Sequence, residues 1–168
     1  MYIDLQKMRA TVFVNQTSLF VLLLVSSDSS DRHRVQSALA LSNRSLDVRY
    51  VESSTSMLSY LNHQGDYSNP KQSPEPDLIL FALDASDPDR WQALEQIKAH
   101  PVLSAIPIVV MASSILPSDV QHSYEIGVSS YLLKPNRDTE WLQMMETLSE
   151  YWFQVVELPR APEKRKDL

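Results

Sequence analysis

Five short apolar runs alternate with stretches of helical periodicity along this chain, and that order leaves few folds open to it. The runs are Phe20-Val21-Leu22-Leu23-Leu24-Val25, Val48 to Val51, Leu78 to Ala82, Ile106 to Met111, and the strand within Val128 to Leu133. The first is apolar at every position, as a central strand of a parallel sheet must be when both of its faces are covered. Between the runs, Val35, Ala38 and Leu39 recur at helical spacing, as do Met57, Leu58 and Leu61, and then Trp91, Leu94 and Ile97. A last helix is predicted from Asp138 to Val156, with an inner stripe of Trp141, Met145, Leu148, Trp152 and Val155.

Punctuation agrees with the pattern. Ser26 to Ser30 offer oxygens to cap a helix near Asp31, and Pro101 disfavours helix at His100. Pro117 suits a first helical turn and Gly127 a left-handed stop. Gly65 to Pro76, rich in Pro, Ser, Asn and Gln, reads as an exposed loop. Strict β/α alternation predicts an α/β, flavodoxin-like fold: a doubly wound, five-stranded parallel sheet in three layers. Residues 1–18 read as an N-terminal arm or extra strand, 19–156 as the domain, and 157–168 as a tail.

Composition removes several function classes. With 168 residues the chain suits one domain. Its 15 Lys and Arg against 21 Asp and Glu, net charge −6, oppose a nucleic-acid partner. The basic cluster Lys164-Arg165-Lys166 reads as a solvated tail. There is no cysteine, hence no disulfide frame and no thiol nucleophile. His33, His63, His100 and His122 lack ligand spacing, so neither a metal nor a cofactor is expected. Two glycines, Gly65 and Gly127, cannot form a phosphate-binding glycine loop. The run Leu19 to Val25 is too short to cross a bilayer, and the N-terminus does not read as a signal peptide. A cytoplasmic, non-membrane, non-enzymatic protein is expected.

In a doubly wound sheet, ligands sit beyond the carboxyl ends of the strands. The residues there are Ser26-Ser27-Asp28, Ala82-Leu83-Asp84, Ala112-Ser113 and Lys134-Pro135. At this point the chain resembles the receiver domains of two-component response regulators (CheY-like). The likeness runs through Leu22 to Val25, Pro76-Asp77-Leu78-Ile79-Leu80, Ile106 to Val110 and Tyr131-Leu132-Leu133-Lys134-Pro135, and covers about residues 19 to 156. His122-Ser123-Tyr124 and Tyr151-Trp152-Phe153 before Leu158-Pro159 resemble the single-domain regulators associated with cyanobacterial phytochromes.

The resemblance implies a site of five parts: two carboxylates holding magnesium, an aspartate nucleophile, a switch hydroxyl and a lysine. Their positions here hold Ser26 and Ser27, Ala82, Ala112 and Lys134, so only the lysine is kept. Neutral hydroxyls are poor ligands for a hard cation, and an alanine has no reactive atom. Asp28, Asp84 and Ser113 are possible substitutes. A carboxylate two residues along a strand lies about 6–7 Å away, however, outside attack geometry. Lys134 is expected either to hold Asp84 or Asp28 as the remnant of a phosphate clamp or, as the favoured reading, to stand at a strand end beside solvent.

The consecutive aromatics Tyr151, Trp152 and Phe153 point in three directions around a helix and cannot all face one core. With Tyr124 and Tyr131 they are the interface candidates. The resemblance implies a partner surface on the fourth helix, fifth strand and fifth helix, serving a homodimer, a sensor kinase or another regulator. The expected function is a non-phosphorylatable pseudo-receiver acting through protein contacts, with the output carried by a partner. The alternatives are a phosphate-accepting regulator using a displaced acceptor such as Asp84, and a small-molecule-sensing module.

Overall fold

The computed structural model describes residues 19–41 and 46–159. The arm expected over residues 1–18 and the tail from 160 onward lie outside the described residues. Five strands, β1 (Phe20–Val25), β2 (Leu46–Val51), β3 (Leu78–Leu83), β4 (Ile108–Ala112) and β5 (Ser130–Leu133), pair in parallel in the order β2-β1-β3-β4-β5. The helices are α1 (Ser29–Leu41), α2 (Ser54–Leu61), α3 (Arg90–Ala99), α4 (Pro117–Ile126) and α5 (Asp138–Glu150). This is the flavodoxin-like architecture expected from the alternation.

Strand alternation divides the core in two. Leu23, Val25, Ile79, Phe81, Ile108 and Val110 face the layer that contains α2 and α3. Their neighbours Leu22, Leu24, Leu78, Leu80, Val109 and Met111 face α1 and α5. Trp141 is the largest side chain buried on that second face, and its indole N–H donates to the Pro135 carbonyl at 2.8 Å. Buried indoles require such a partner.

Local chemistry sets the ends. Ser53 caps α2, its hydroxyl accepting from Ser56 N–H. Gly127 ends α4 at φ 103°, where a Cβ would be strained. The 65–76 loop is mostly exposed but pinned, since Tyr60 Oη donates to Pro74 O at 2.8 Å and Arg49 to Gln72 O at 2.7 Å. Every peptide bond among the described residues is trans, Lys134–Pro135 included.

The end of the last helix departs from the expected stripe. From Tyr151 to Val155 the chain winds as a π-helical turn, closed by Val156 N–H donating to Tyr151 O at 3.1 Å. A π turn holds more residues than an α turn, so successive side chains diverge less. Trp152 and Phe153 therefore both pack on the α1/α5 core, and Phe153 meets Phe20 at 5.0 Å between ring centroids. Val155, expected on the inner stripe, is 68% exposed because the same change in winding turns it outward.

Candidate functional site

The loops following β1, β3, β4 and β5 bring together the residues singled out at the carboxyl edge of the sheet. Ala82 and Ala112 are buried at the ends of their strands and contribute only methyl groups. Ala82 shares strand parity with Leu78 and Leu80, which places it toward α1 and α5. Ser113 follows Ala112 and is exposed.

Lys134 has neither of the settings expected for it. Its ammonium donates to Asp31 Oδ2 and not to Asp28 or Asp84, and its side chain is only 15% exposed. Asp31 is buried to 2% exposure, and the same oxygen accepts the Ser26 hydroxyl at 2.8 Å. Ser26 Oγ in turn accepts the Asp28 N–H at 3.2 Å. The backbone fixes the lysine's origin, since Lys134 N–H donates to Ala112 O at 2.8 Å. A carboxylate in the first turn of a helix also meets the positive end of the helix dipole.

Asp31 escaped the sequence reading although its signal was present. It lies four, seven and eight residues before Val35, Ala38 and Leu39, all buried on the inner stripe of α1. A carboxylate on an apolar stripe demands a partner in the interior, and Lys134 is that partner.

Asp84 and Asp28 are differently engaged. Asp84 Oδ2 accepts the Ser27 hydroxyl at 2.7 Å, and Oδ1 accepts Ser86 N–H at 2.9 Å. These bonds, the Ser27 hydroxyl foremost, hold the Asp84 carboxyl below its ordinary pKa of 3.8. Asp28 is lowered as well, chiefly by Ser30, whose N–H it accepts at 2.8 Å. One further clamp was not foreseen. Asp87 accepts both the backbone N–H (2.9 Å) and the hydroxyl (2.8 Å) of the fully buried Ser54, fastening α2 to the loop after β3.

The two serines thus spend their hydroxyl protons on the protein's own carboxylates, and the lysine spends its charge on Asp31. The arrangement is two groups, a buried one of Ser26, Asp31 and Lys134 and an exposed one of Ser27 and Asp84. Among the described residues no group of three or more His, Cys, Asp or Glu is placed to hold a metal ion, and no helix is long and apolar enough to cross a membrane.

The interface candidates fall into two groups. Tyr124 on α4 and Tyr151 are about half exposed. Trp152 and Phe153 pack on the chain's own core, and Tyr131 lies partly buried against the α2/α3 side, its hydroxyl donating to Ser114 O at 3.2 Å. Burial, with a smaller contribution from Asp119, raises the Tyr131 phenol above its ordinary pKa.

No family model matches the chain. Individual proteins match over most of its length. Response regulator Rcp1 from Synechocystis sp. is 33% identical over 141 residues, 84% of this chain and 94% of its own. The crystal structure of the phosphorylated cyanobacterial phytochrome response regulator RcpA has a TM-score of 0.78 and 31% identity, covering 85% of this chain and all of its own. That of the Mn(2+)-bound form of Rcp1 has a TM-score of 0.76 and 32% identity, covering 84% and 99%. With the sheet order and the loops at its carboxyl edge in place, these likenesses establish that the chain belongs to the response-regulator family, as a receiver domain of the Rcp1 type in two-component-type signalling.

Proposed function

We propose that this receiver is a pseudo-receiver, which signals without accepting a phosphoryl group and works through protein contacts in one set conformation. The observation that carries the reading is the pairing of Lys134 with the buried Asp31, at the same edge of the sheet where position 82 holds only a methyl group. A phosphoryl group needs a nucleophile, a cation to neutralise its charge and a free ammonium to receive it. Ala82 offers no nucleophile. Ser26 and Ser27 stand where the resemblance implies metal-holding carboxylates, and both donate to the chain's own carboxylates, Ser26 to the buried Asp31 and Ser27 to Asp84 at the surface. RcpA is described as phosphorylated and Rcp1 as Mn(2+)-bound; the residues expected to serve those functions are replaced here.

Asp84 is a poor substitute acceptor. Both of its oxygens are occupied by hydrogen bonds, and its lowered pKa makes it a weaker nucleophile. The test is intact-mass analysis after incubation with acetyl phosphate and magnesium, on the wild type and on Asp84→Asn. No phosphoryl adduct on either protein is the expected result. An adduct on the wild type that Asp84→Asn abolishes refutes the reading and makes the chain an active regulator with a displaced acceptor.

The output in this reading passes to a protein in the cytoplasm: a sensor kinase, another regulator, or a second copy joined through α4, β5 and α5. Ile115, Leu116, Tyr124 and Leu133 support that surface, each about half exposed on α4, on β5 or on the loop before α4. Apolar groups left in water at this density favour a contact. The domain has no catalytic part in this reading.

A further inference from the structure

Helix α4 is held to the sheet differently from its neighbours. α3 buries Ala93, Leu94 and Ile97, and α5 buries Trp141 and Met145. Of the ten residues of α4, Ser123 is the one that is buried. It is fully buried, and its hydroxyl meets no hydrogen-bond partner among the described residues. A desolvated polar group without a partner penalises the docked helix relative to one released into water. Ile126 adds a partly buried contact with the core, while the approach from Ser113 to Ser118 is exposed throughout.

A surface side chain supplies the link to α3. The His122 ring meets Trp91 at 4.7 Å between centroids and 62° between planes, and its Nε2 stands 3.6 Å from a Glu95 carboxylate oxygen. Beyond its two ends the chain is anchored apart from the helix. Tyr131 Oη donates to Ser114 O at 3.2 Å, and Ser129 N–H donates to Ile108 O at 2.8 Å. Gly127, at φ 103°, is the joint between the helix and the second anchor. The segment between the anchors can move without unpairing β5 from β4.

We infer that α4 is a latched helix, which detaches from the sheet as a unit while the rest of the fold stays closed, with the His122–Trp91 contact as its latch. Segments with few buried apolar groups open at a lower free energy than the whole domain. The docked helix is the major state and the detached one a minor state. A protein that binds the docked α4 suppresses the opening, and one that binds the detached form enlarges it. The device is independent of whether the chain accepts a phosphoryl group, because the Lys134–Asp31 pair joins the end of β5 to α1 and does not involve α4.

Native-state hydrogen exchange on the full chain tests the latch. After correction for intrinsic rates, the amides of Gln121 to Ile126 are expected to exchange at least about tenfold faster than those of Leu142 to Leu148. Equal protection overturns the inference. Trp91→Leu changes no residue of α4 and is expected to speed α4 exchange several-fold while α5 keeps its rates. Unchanged α4 exchange, or an equal rise in both helices, overturns the contact as the latch. Ser123→Ala removes the unpartnered hydroxyl and is expected to slow α4 exchange about fivefold or more, beyond the two- to threefold or so that the helix propensity of alanine gives. Slowing no greater than propensity allows, or faster exchange, shows that the hydroxyl does not weaken the docked state and overturns the proposal.

Discussion

Lys134, which follows the edge strand β5, directs its ammonium onto Asp31 in the first turn of α1, 103 residues earlier in the chain. Asp31 is almost wholly buried, and Ser26 supplies its second donor. The pair joins two loops at the carboxyl edge and consumes the one cation that the resemblance assigns to phosphate.

Removing Lys134 strands a buried carboxylate. Lys134→Met is expected to destabilise the domain by about 3–5 kcal/mol, as breaking a buried pair does. Asp31→Leu combined with Lys134→Met is expected to recover most of that loss, because no charge then stays buried alone. Urea denaturation of the two single variants and the double variant measures the coupling. A loss below about 1 kcal/mol in Lys134→Met would mean that water reaches Asp31 and the pair is not structural.

Restoring the nucleophile alone is expected to be insufficient. Ala82→Asp should gain no phosphoryl group from acetyl phosphate, because Ser26 and Ser27 remain neutral and Lys134 stays on Asp31. Adding Ser26→Glu, Ser27→Asp and Ala112→Thr supplies the missing parts, Asp31→Asn releases the Lys134 ammonium, and a phosphoryl adduct is expected in the fivefold variant by intact mass. An adduct on Ala82→Asp alone would show that the Lys134 contact yields easily.

Asp87 holds the start of α2 through Ser54. Asp87→Ala leaves the buried hydroxyl and the backbone N–H of Ser54 without that acceptor, at a cost of about 1–3 kcal/mol. Thermal unfolding checks the magnitude. Hydrogen exchange at the start of α2 should rise well before global unfolding if the clamp acts locally.

The lowered pKa of Asp84 fixes the sign of a pH effect. Its folded value lies below the ordinary 3.8, chiefly because Ser27 donates to the charged form. The stabilisation is therefore fully present above about pH 4 and disappears as pH falls through the folded value. Ser27→Ala is expected to weaken the domain at neutral pH but not in strong acid, where both proteins carry a protonated Asp84. Urea midpoints across pH 2 to 7, together with NMR titration of Asp84, test both the sign and the cause.

At the end of α4, Gly127→Ala places a Cβ on a backbone with φ 103°. Nothing lies within 4 Å of the added atom, so the cost is conformational and not steric crowding by neighbours. About 1 kcal/mol is expected from thermal unfolding.

The strands and their order of occurrence were legible because burial on a strand or helix face leaves a local period. The β1 bounds agree with the sequence reading residue for residue, as Phe20–Val25, and Met57 and Leu61, expected on the inner face of the second helix, are buried there. The parallel, doubly wound sheet follows from the alternation alone. The replacements Ala82 and Ala112 are also facts of sequence, since a methyl group has the same chemistry in any fold. Other features depended on the third dimension. Lys134 could have met Asp28, Asp84 or Asp31, all close to the carboxyl edge. Only the order β2-β1-β3-β4-β5 and the placement of α1 against α5 put Asp31 beneath the ammonium. The split of Tyr151, Trp152 and Phe153 needed the π turn, because helical spacing assumes a winding that the chain abandons there. Periodicity records which way a side chain faces, whereas its partner is decided by segments that the fold alone brings near.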